Sequence, residues 1–221
     1  MSEETRPASR RDAVDDWLQT MPCRIGEILI TRRSDGEFGV CHRDDAKRSD
    51  LRAYDGVEAA IEIARYDDAG VYRPLKTAPN LRHGWILLVR SIPDVRRAID
   101  YFYPARFAAY AVWHDGRLRT TTLRETLDRQ TGMYRVVAKI ADEQANSLVA
   151  GFCRSNGGCL RTIQWKRDAS GVPASTLLPR EKFDPTFDQT GRGESTLPLL
   201  CQEACNLLVA EARKVVKAAE A

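Results

Sequence analysis

The chain has 221 residues, of which 43% are hydrophobic and 29% charged, and its formal net charge is +3. This composition is typical of a globular protein with one or two domains, and the length allows a buried core without crosslinks. Because 31 acidic residues nearly balance 34 basic ones, the charge argues against a nucleic-acid partner, which usually requires a concentrated basic surface.

Residues 1–22 are predicted to be a flexible leader, with a short helix around Ala13 to Leu18. The leader is polar and lacks the apolar core of a signal peptide, and no stretch of the chain approaches the length of a membrane span. We therefore expect a cytoplasmic protein with no membrane partner. Thiols stay reduced in that compartment, so cysteines that are close in sequence indicate metal binding or redox chemistry rather than disulfides.

The next segment predicts a β-hairpin followed by a helix. The β-like runs RIGEILITRR and EFGVCHR are separated by a turn signal at residues 34–36, which is typical of a hairpin. Further along, apolar residues recur at helical spacing. The residues with this spacing are Val57, Ala60, Ile61 and Ala64.

A strand and three helices are predicted between residues 85 and 154. The strand runs around Trp85 to Val89, and the helical segment that starts at Ile92 should break near Pro104, because proline cannot continue the hydrogen bonding. A short helix follows, with a capping box formed by Thr122 and Glu125. The third starts at Ala141 or Asp142, and its apolar face should contain Ile140, Ala145, Leu148, Val149 and Phe152.

The C-terminal part is predicted to contain a turn, a strand, a long loop and a last helix. The glycine-rich run at 155–158 should end the preceding helix, and CLRTIQWK is read as a strand. Residues 167–196 carry prolines and glycines without periodicity, and such a loop is usually functional or mobile. The last helix is predicted from Leu197 to Ala219.

Four of the six cysteines form two close pairs. Five residues separate Cys153 from Cys159, and three separate Cys201 from Cys205. The second pair would lie on one face of the last helix, from which both thiolates can reach one metal centre. Four thiolates suit Zn²⁺ or an iron–sulfur cluster, and these wide spacings favour a [4Fe–4S] centre because a cubane separates its ligands more than a single ion does.

A purely structural interpretation of the cysteines stays open. Free cysteine behaves as a small buried hydrophobe, and Cys201 and Cys205 lie in an apolar stripe with Leu208. Cys23 and Cys41 have no close partners and are predicted to be core positions of strands.

Other candidate groups give no catalytic pattern. The three histidines, at 42, 83 and 114, are isolated in sequence, and a lone histidine is more often structural than a ligand. Adjacent carboxylates such as Asp67 and Asp68 are usually solvated turn residues.

The C-terminal half resembles a family of bacterial and archaeal [4Fe–4S] domains found at the C-terminal end of CbiX-like sirohydrochlorin chelatase proteins. The stretches that carry the resemblance are LRETLDRQTGMYRVVAKIADEQANSLVAGFCRSNGGCLRTIQW and LPREKFDPTFDQTGRGESTLPLLCQEACNLLVAEARK, and YDDAGVYRPLKTAPNLRHGW is similar to the stabilising domain that precedes them. The resemblance implies that the cluster ligands are Cys153, Cys159, Cys201 and Cys205.

The resemblance also implies an α+β fold with two domains. A small N-terminal α/β stabilising domain is expected at residues 23–130, and a mostly helical [4Fe–4S] cluster-binding domain at residues 131–221. The chain is too short to include the chelatase domain of the fused proteins, and it shows no histidine pair that would insert the metal. We therefore expect no enzyme activity from this chain by itself.

Two functions follow from this interpretation. The first is electron transfer or redox sensing, as an accessory to metal insertion into a tetrapyrrole of sirohydrochlorin or cobalamin synthesis, with a separate chelatase or redox protein as partner. The second is a structural role, in which a cluster or a zinc ion stabilises a protein-interaction domain.

Overall fold

The structure is a computed structural model that describes residues 12–119, 121, 123–129, 139–154, 159–163 and 195–220. The chain divides into two compact units. Of the described residues, 12–76, 81–117 and 195–198 form the first unit, and the others form the second.

The first unit is built on a six-stranded mixed sheet. Its strands are β1 (Cys23–Ile25), β2 (Ile28–Arg32), β3 (Phe38–His42), β4 (Arg52–Asp55), β5 (Trp85–Val89) and β7 (Ser195–Leu197). They lie in the order β4-β5-β3-β2-β1-β7. The predicted hairpin is confirmed as β2 and β3, which pair antiparallel, whereas β4 pairs parallel with β5, as β7 does with β1.

Four helices complete this unit: α1 (Asp12–Gln19), α2 (Ala59–Arg65), α3 (Ile92–Phe102) and α4 (Arg106–His114). Helix α3 begins after Ser91, whose hydroxyl accepts the amide of Asp94, and this satisfies one of the otherwise unpaired amides of the first turn. The predicted break near Pro104 is confirmed, because α3 ends before it and α4 starts after Ala105, which has a φ of 60°.

The core of the first unit lies between the sheet and its helices. Trp85 of β5 stacks on Phe102 of α3, with ring centroids 5.2 Å apart. The predicted short helix near the N-terminus is confirmed as α1, and its Val14, Trp17 and Leu18 are buried. Burial of such large apolar side chains is the main favourable contribution to the fold.

The predicted helix after the hairpin is confirmed as α2. Ile61 is exposed, whereas Ile63 is fully buried beside Ala60 and Ala64. Both residues fit an apolar helical pattern within one turn, so the spacing alone could not decide which of the two side chains is buried.

The described residues of the second unit form three helices and a two-stranded parallel sheet. Its elements are α5 (Leu123–Asp128), α6 (Asp142–Arg154), β6 (Thr162–Ile163), β8 (Leu200–Cys201) and α7 (Asn206–Ala219). Apolar residues of α5, α6 and α7 form one buried cluster that includes Leu127, Val149 and Leu208. The predicted apolar face of α6 is confirmed: Ile140, Ala145 and Val149 are buried, and Leu148 and Phe152 pack against the cluster.

The last helix is shorter than predicted. It starts at Asn206, because Leu197 ends β7 and Cys201 ends β8. In β8, Leu200 and Cys201 pair with Thr162 and Ile163 of β6. Residues four apart lie on one side of a strand as well as of a helix, so the apolar spacing fitted both conformations.

These observations confirm the predicted α+β fold class. No helix in the described part of the chain is both long and apolar enough to cross a membrane. Several predictions concern residues outside the described ones: most of the leader, the Thr122 capping box, the boundary between residues 130 and 131, the turn at 155–158 and nearly all of the loop at 167–196.

Candidate metal centre

All four cysteines of the predicted set lie in the second unit. Cys153 is in the last turn of α6, and Cys159 stands shortly before β6. Cys201 ends β8, and Cys205 is the N-cap residue of α7. The prediction that Cys201 and Cys205 share one helix face is therefore wrong, because Cys201 precedes the helix.

Three of the four thiols adjoin the same apolar cluster. Cys201 is a buried member of it, and Cys153 and Cys205 are half-buried against it. The Cys201 thiol donates a hydrogen bond to the carbonyl oxygen of Glu203, with an Sγ–O distance of 3.0 Å. This much agrees with the structural interpretation of the cysteines as small apolar residues.

The fourth thiol has polar surroundings. The Sγ atom of Cys159 lies 3.2 Å from the hydroxyl oxygen of Thr77, whose side chain is buried. The segment is also held through the backbone, because the amide of Leu160 donates to the carbonyl oxygen of Thr77 at 2.6 Å. A hydroxyl in this position can donate to a thiolate, and such a bond stabilises negative charge on sulfur.

Two of the thiols resist ionisation in the metal-free protein. The pKa of Cys153 is raised to about 12, chiefly by withdrawal from water and also by the negative charges of Cys159, Cys201 and Cys205, while Arg161 lowers it. Burial also raises the pKa of Cys159, against hydrogen bonds from Thr77 and the backbone of Arg161. The other three thiols and Arg161 therefore lie close enough to Cys153 to act on its charge.

Arg161 supplies the cation of this site. Its Nη1 atom lies 3.7 Å from the Sγ atom of Cys201, and its buried Nε atom has no hydrogen-bond partner among the described residues. Burial by itself lowers the pKa of the guanidinium, but the charges of Cys201, Cys159 and Cys205 outweigh it and the pKa is raised. Arginine therefore stays charged beside the thiols.

The spacing of the sulfur atoms is wider than a zinc site requires. Zn–S bonds of about 2.3 Å in a tetrahedron place neighbouring sulfurs roughly 3.8 Å apart. All four cysteines are among the described residues, and no three of their sulfur atoms all lie within 4.8 Å of one another.

The residues present fit a [4Fe–4S] cluster. The four thiols lie in one unit without the close spacing of a zinc site, and the Arg161 guanidinium beside Cys201 offsets part of the negative charge of four thiolates. Arg161 Nε also offers an unused donor toward an anionic group. Thr77 gives no signal in the sequence as a residue of this site, because 82 residues separate it from Cys159.

The remaining candidates of the sequence lie in the first unit. Cys23 and Cys41 are buried strand residues, as predicted, and burial raises the pKa of Cys23 to about 12. Asp67 accepts the amide of Val71 within a turn. The histidines, however, are not all isolated in space, because the rings of His42 and His83 have centroids 3.9 Å apart.

Comparison with known proteins agrees with this geometry. Residues 115–214 match the family model of a 4Fe–4S iron–sulfur cluster binding domain, and residues 10–117 match that of the DR2241 stabilising domain. No curated protein sequence matches the chain.

A solved structure is similar over nearly the whole chain. It is the crystal structure of DR2241 from Deinococcus radiodurans, with 28% sequence identity and a TM-score of 0.72. The similarity covers 95% of this chain but 42% of that one, which is described as a multi-domain protein with structural similarity to chelatases and two additional novel domains. The chain thus spans less than half of that relative. The matched regions of the chain thus correspond to a DR2241 stabilising domain followed by a 4Fe–4S iron–sulfur cluster binding domain.

Proposed function

We propose that the chain is an electron-transfer or redox-sensing protein whose cluster is held by Cys153, Cys159, Cys201 and Cys205. The observation that carries this proposal is that all four thiols lie in one unit, with the Thr77 hydroxyl beside Cys159 and Arg161 Nη1 3.7 Å from Cys201 Sγ. When bound, a [4Fe–4S] cluster accepts and releases one electron.

The thiols must lose their protons when the site is loaded, because thiolate is the ligand form of cysteine. In the metal-free protein burial opposes this loss, most clearly at Cys153, whose pKa is about 12. The positive charge of Arg161 acts in the opposite direction. Loading is therefore expected to release protons, and Arg161 is expected to favour the loaded state.

Two donors at the sulfur atoms support a redox role over a purely structural one. Arg161 approaches Cys201, and the hydroxyl of Thr77 approaches Cys159. An added electron increases the negative charge that reaches the sulfurs, and both donors stabilise that charge. A site that only crosslinks the fold has no need for such stabilisation of a second charge state.

A tetrapyrrole connection is supported by the multi-domain relative. DR2241 combines similarity to chelatases with additional domains, and this chain aligns with 42% of it. The two family models that match here describe a stabilising domain and a cluster-binding domain, neither of which is a chelatase. We infer that the chain serves a chelatase, one that inserts metal into a sirohydrochlorin-type tetrapyrrole.

A structural role is the second candidate function. It is favoured because the four cysteines come from four separate segments of the second unit. Cys153, Cys159, Cys201 and Cys205 come from the end of α6, the segment before β6, the end of β8 and the start of α7. A metal centre there would join these four places in the second unit and stabilise their arrangement, as closed metal sites do.

Anaerobic purification tests both proposals. A [4Fe–4S] protein should be brown, contain about four irons and four sulfides per chain, and give an EPR signal after reduction. A colourless protein with one tightly bound zinc would contradict the cluster assignment. If neither dithionite nor ferricyanide converts the cluster to another charge state, the redox role is excluded and the structural role remains.

A further inference from the structure

A second group of metal-ligating side chains lies in the first unit. His42, Asp45 and His83 each contribute one potential ligand atom, and these three atoms all lie within 4.8 Å of one another. No other group of three or more His, Cys, Asp or Glu side chains in the described part of the chain is this close. Two imidazoles and one carboxylate are a common ligand set of divalent transition metals.

The sheet brings these three residues together. His42 is the last residue of β3, Asp45 ends the short 3₁₀ turn that follows, and His83 stands two residues before β5. Strands β3 and β5 pair antiparallel, with Cys41 opposite Ile86. The end of one strand and the start of the other therefore meet at the same edge of the sheet. The 40 residues between His42 and His83 leave this edge and return to it.

His42 has one nitrogen directed to a carboxylate and one to an amide. Its Nδ1 atom accepts the amide of Asp44 at 3.2 Å, so its proton is on Nε2. That Nε2 atom is buried, makes no hydrogen bond among the described residues, and lies 3.7 Å from Glu27 Oε1. A carboxylate behind the second nitrogen is the arrangement that orients metal-binding histidines.

Asp45 is held in place by two donors. Its Oδ2 atom accepts the amide of Gly84 at 2.6 Å, and its Oδ1 atom accepts Arg48 Nη1 at 3.0 Å. Gly84 has a φ of 81°, a conformation that glycine adopts without strain. Each carboxylate oxygen has two lone pairs, so Oδ1 can still face the Nδ1 atom of His83, which is 3.6 Å away.

The group is open on one side. The side chain of His83 is 36% exposed, whereas those of His42 and Asp45 are buried. A surface cavity of about 410 Å³ adjoins His83 and is also lined by Asp67 and Asp68. It gives an ion a route from solvent and leaves room for a water ligand.

We propose that His42, Asp45 and His83 bind one divalent transition-metal ion of the zinc or cobalt type. His42 would bind through Nδ1, whose lone pair now meets the amide of Asp44, an exposed residue that water can solvate instead. Three protein ligands with an accessible fourth position are typical of sites that also bind water or a substrate. Arg48 places a positive charge beside Asp45 and lowers the affinity.

Calorimetric titration of Zn²⁺ into the full-length, cluster-loaded protein tests this proposal. We expect one Zn²⁺ per chain, and at least tenfold weaker binding for His83→Ala. His114→Ala removes the one remaining histidine of the chain and should bind Zn²⁺ as the wild type does. Iron content measured before and after the titration shows that zinc has not replaced the cluster.

His42 is buried, so His42→Ala can destabilise the fold for reasons unrelated to metal. His83→Ala and Asp45→Asn then decide the matter, with circular dichroism to verify that both variants are folded. Absence of Zn²⁺ binding by the wild type, or equal affinity in wild type and folded His83→Ala, would overturn the proposal. Equal losses of Zn²⁺ affinity in His83→Ala and His114→Ala would also overturn the proposal, because they would indicate nonspecific binding to histidine.

Discussion

The guanidinium of Arg161 and the thiol of Cys201 meet in the second unit, with Nη1 and Sγ 3.7 Å apart. They come from segments 40 residues apart in sequence. The charge of Arg161 acts on Cys159 and Cys205 as well. One cation thus lies within electrostatic reach of several proposed ligands, and it should control the energy of the reduced state.

Replacing Arg161 by glutamine should lower the midpoint reduction potential. The change removes one positive charge near the sulfurs, and a loss on the order of 50 mV is expected for a partly screened charge at this distance. Potentiometric titration followed by EPR measures the shift. Arg129→Gln is the matched control, because Arg129 lies in the same unit but pairs with the exposed Glu203. An Arg161→Gln protein with a full cluster and an unchanged potential would contradict this role.

The Thr77 hydroxyl should have a smaller effect of the same sign. Thr77→Val removes the donor beside Cys159 and keeps the volume of the side chain, so the potential should fall by less than in Arg161→Gln. Thr77→Ser keeps the hydroxyl and should retain the wild-type potential. If Thr77→Val and Thr77→Ser lower the potential equally, the packing of the side chain rather than its hydrogen bond is responsible.

Local sequence patterns were sufficient to predict most of the helices and the hairpin. The turn residues between β2 and β3 determine the conformation of adjacent residues only, as does the proline after α3. Their effects can therefore be predicted from the local sequence. The N-terminal end of α7 was not predictable in this way. The apolar spacing that leads into Leu208 is equally compatible with a strand, and only pairing with β6 makes residues 200–201 extended.

The candidate sites show the same limit at longer range. The cysteine pairs could be found because each pair is close in sequence, but Thr77 approaches Cys159 across 82 residues. His42 and His83 are isolated in sequence, and the pairing of β3 with β5 brings them into contact. Contacts that depend on tertiary pairing leave no local periodicity in the sequence.

Serine substitutions should identify the cluster ligands. Cys153→Ser, Cys159→Ser, Cys201→Ser and Cys205→Ser should each lower the iron content of anaerobically purified protein to a small fraction of the wild-type value, because an alcohol is a poor iron ligand. The controls are Cys23→Ser and Cys41→Ser, which change buried thiols of the other unit. Full iron content in any of the first four variants would remove that cysteine from the proposed set.

The apolar cluster beside the cysteines should set the stability of the second unit. Leu208→Ala deletes a side chain that is 1% exposed and should lower the free energy of unfolding by about 3 kcal/mol. Leu207→Ala, one residue earlier in α7 and half-buried, should cost roughly 1 kcal/mol. Urea unfolding followed by circular dichroism measures both, and cluster bleaching should follow the same order. Equal costs would show that Leu208 is not a core position.

Ionisation of Cys23 should destabilise the protein at alkaline pH. Its pKa is about 12 in the folded chain and 9.0 in the unfolded chain, because burial disfavours the thiolate. Below pH 9.0 both states are protonated and the folded state keeps its full stability. As the pH rises above that value, the unfolded chain loses the proton first, so stability falls by up to about 1.4 kcal/mol per pH unit until the folded thiol also ionises.

The change in unfolding free energy between about pH 8 and about pH 10.5 isolates this contribution. Cys23→Ala should reduce the loss across that interval by about 2 kcal/mol relative to the wild type. Ile25→Val changes another buried residue of β1 and should lower the free energy of unfolding by about 1 kcal/mol at both pH values. The stability lost between the two pH values should therefore be the same as in the wild type. Urea unfolding under reducing conditions measures all three proteins in the same metal state. If Cys23→Ala and the wild type lose equal stability across the interval, the Cys23 thiol does not carry the expected pKa shift.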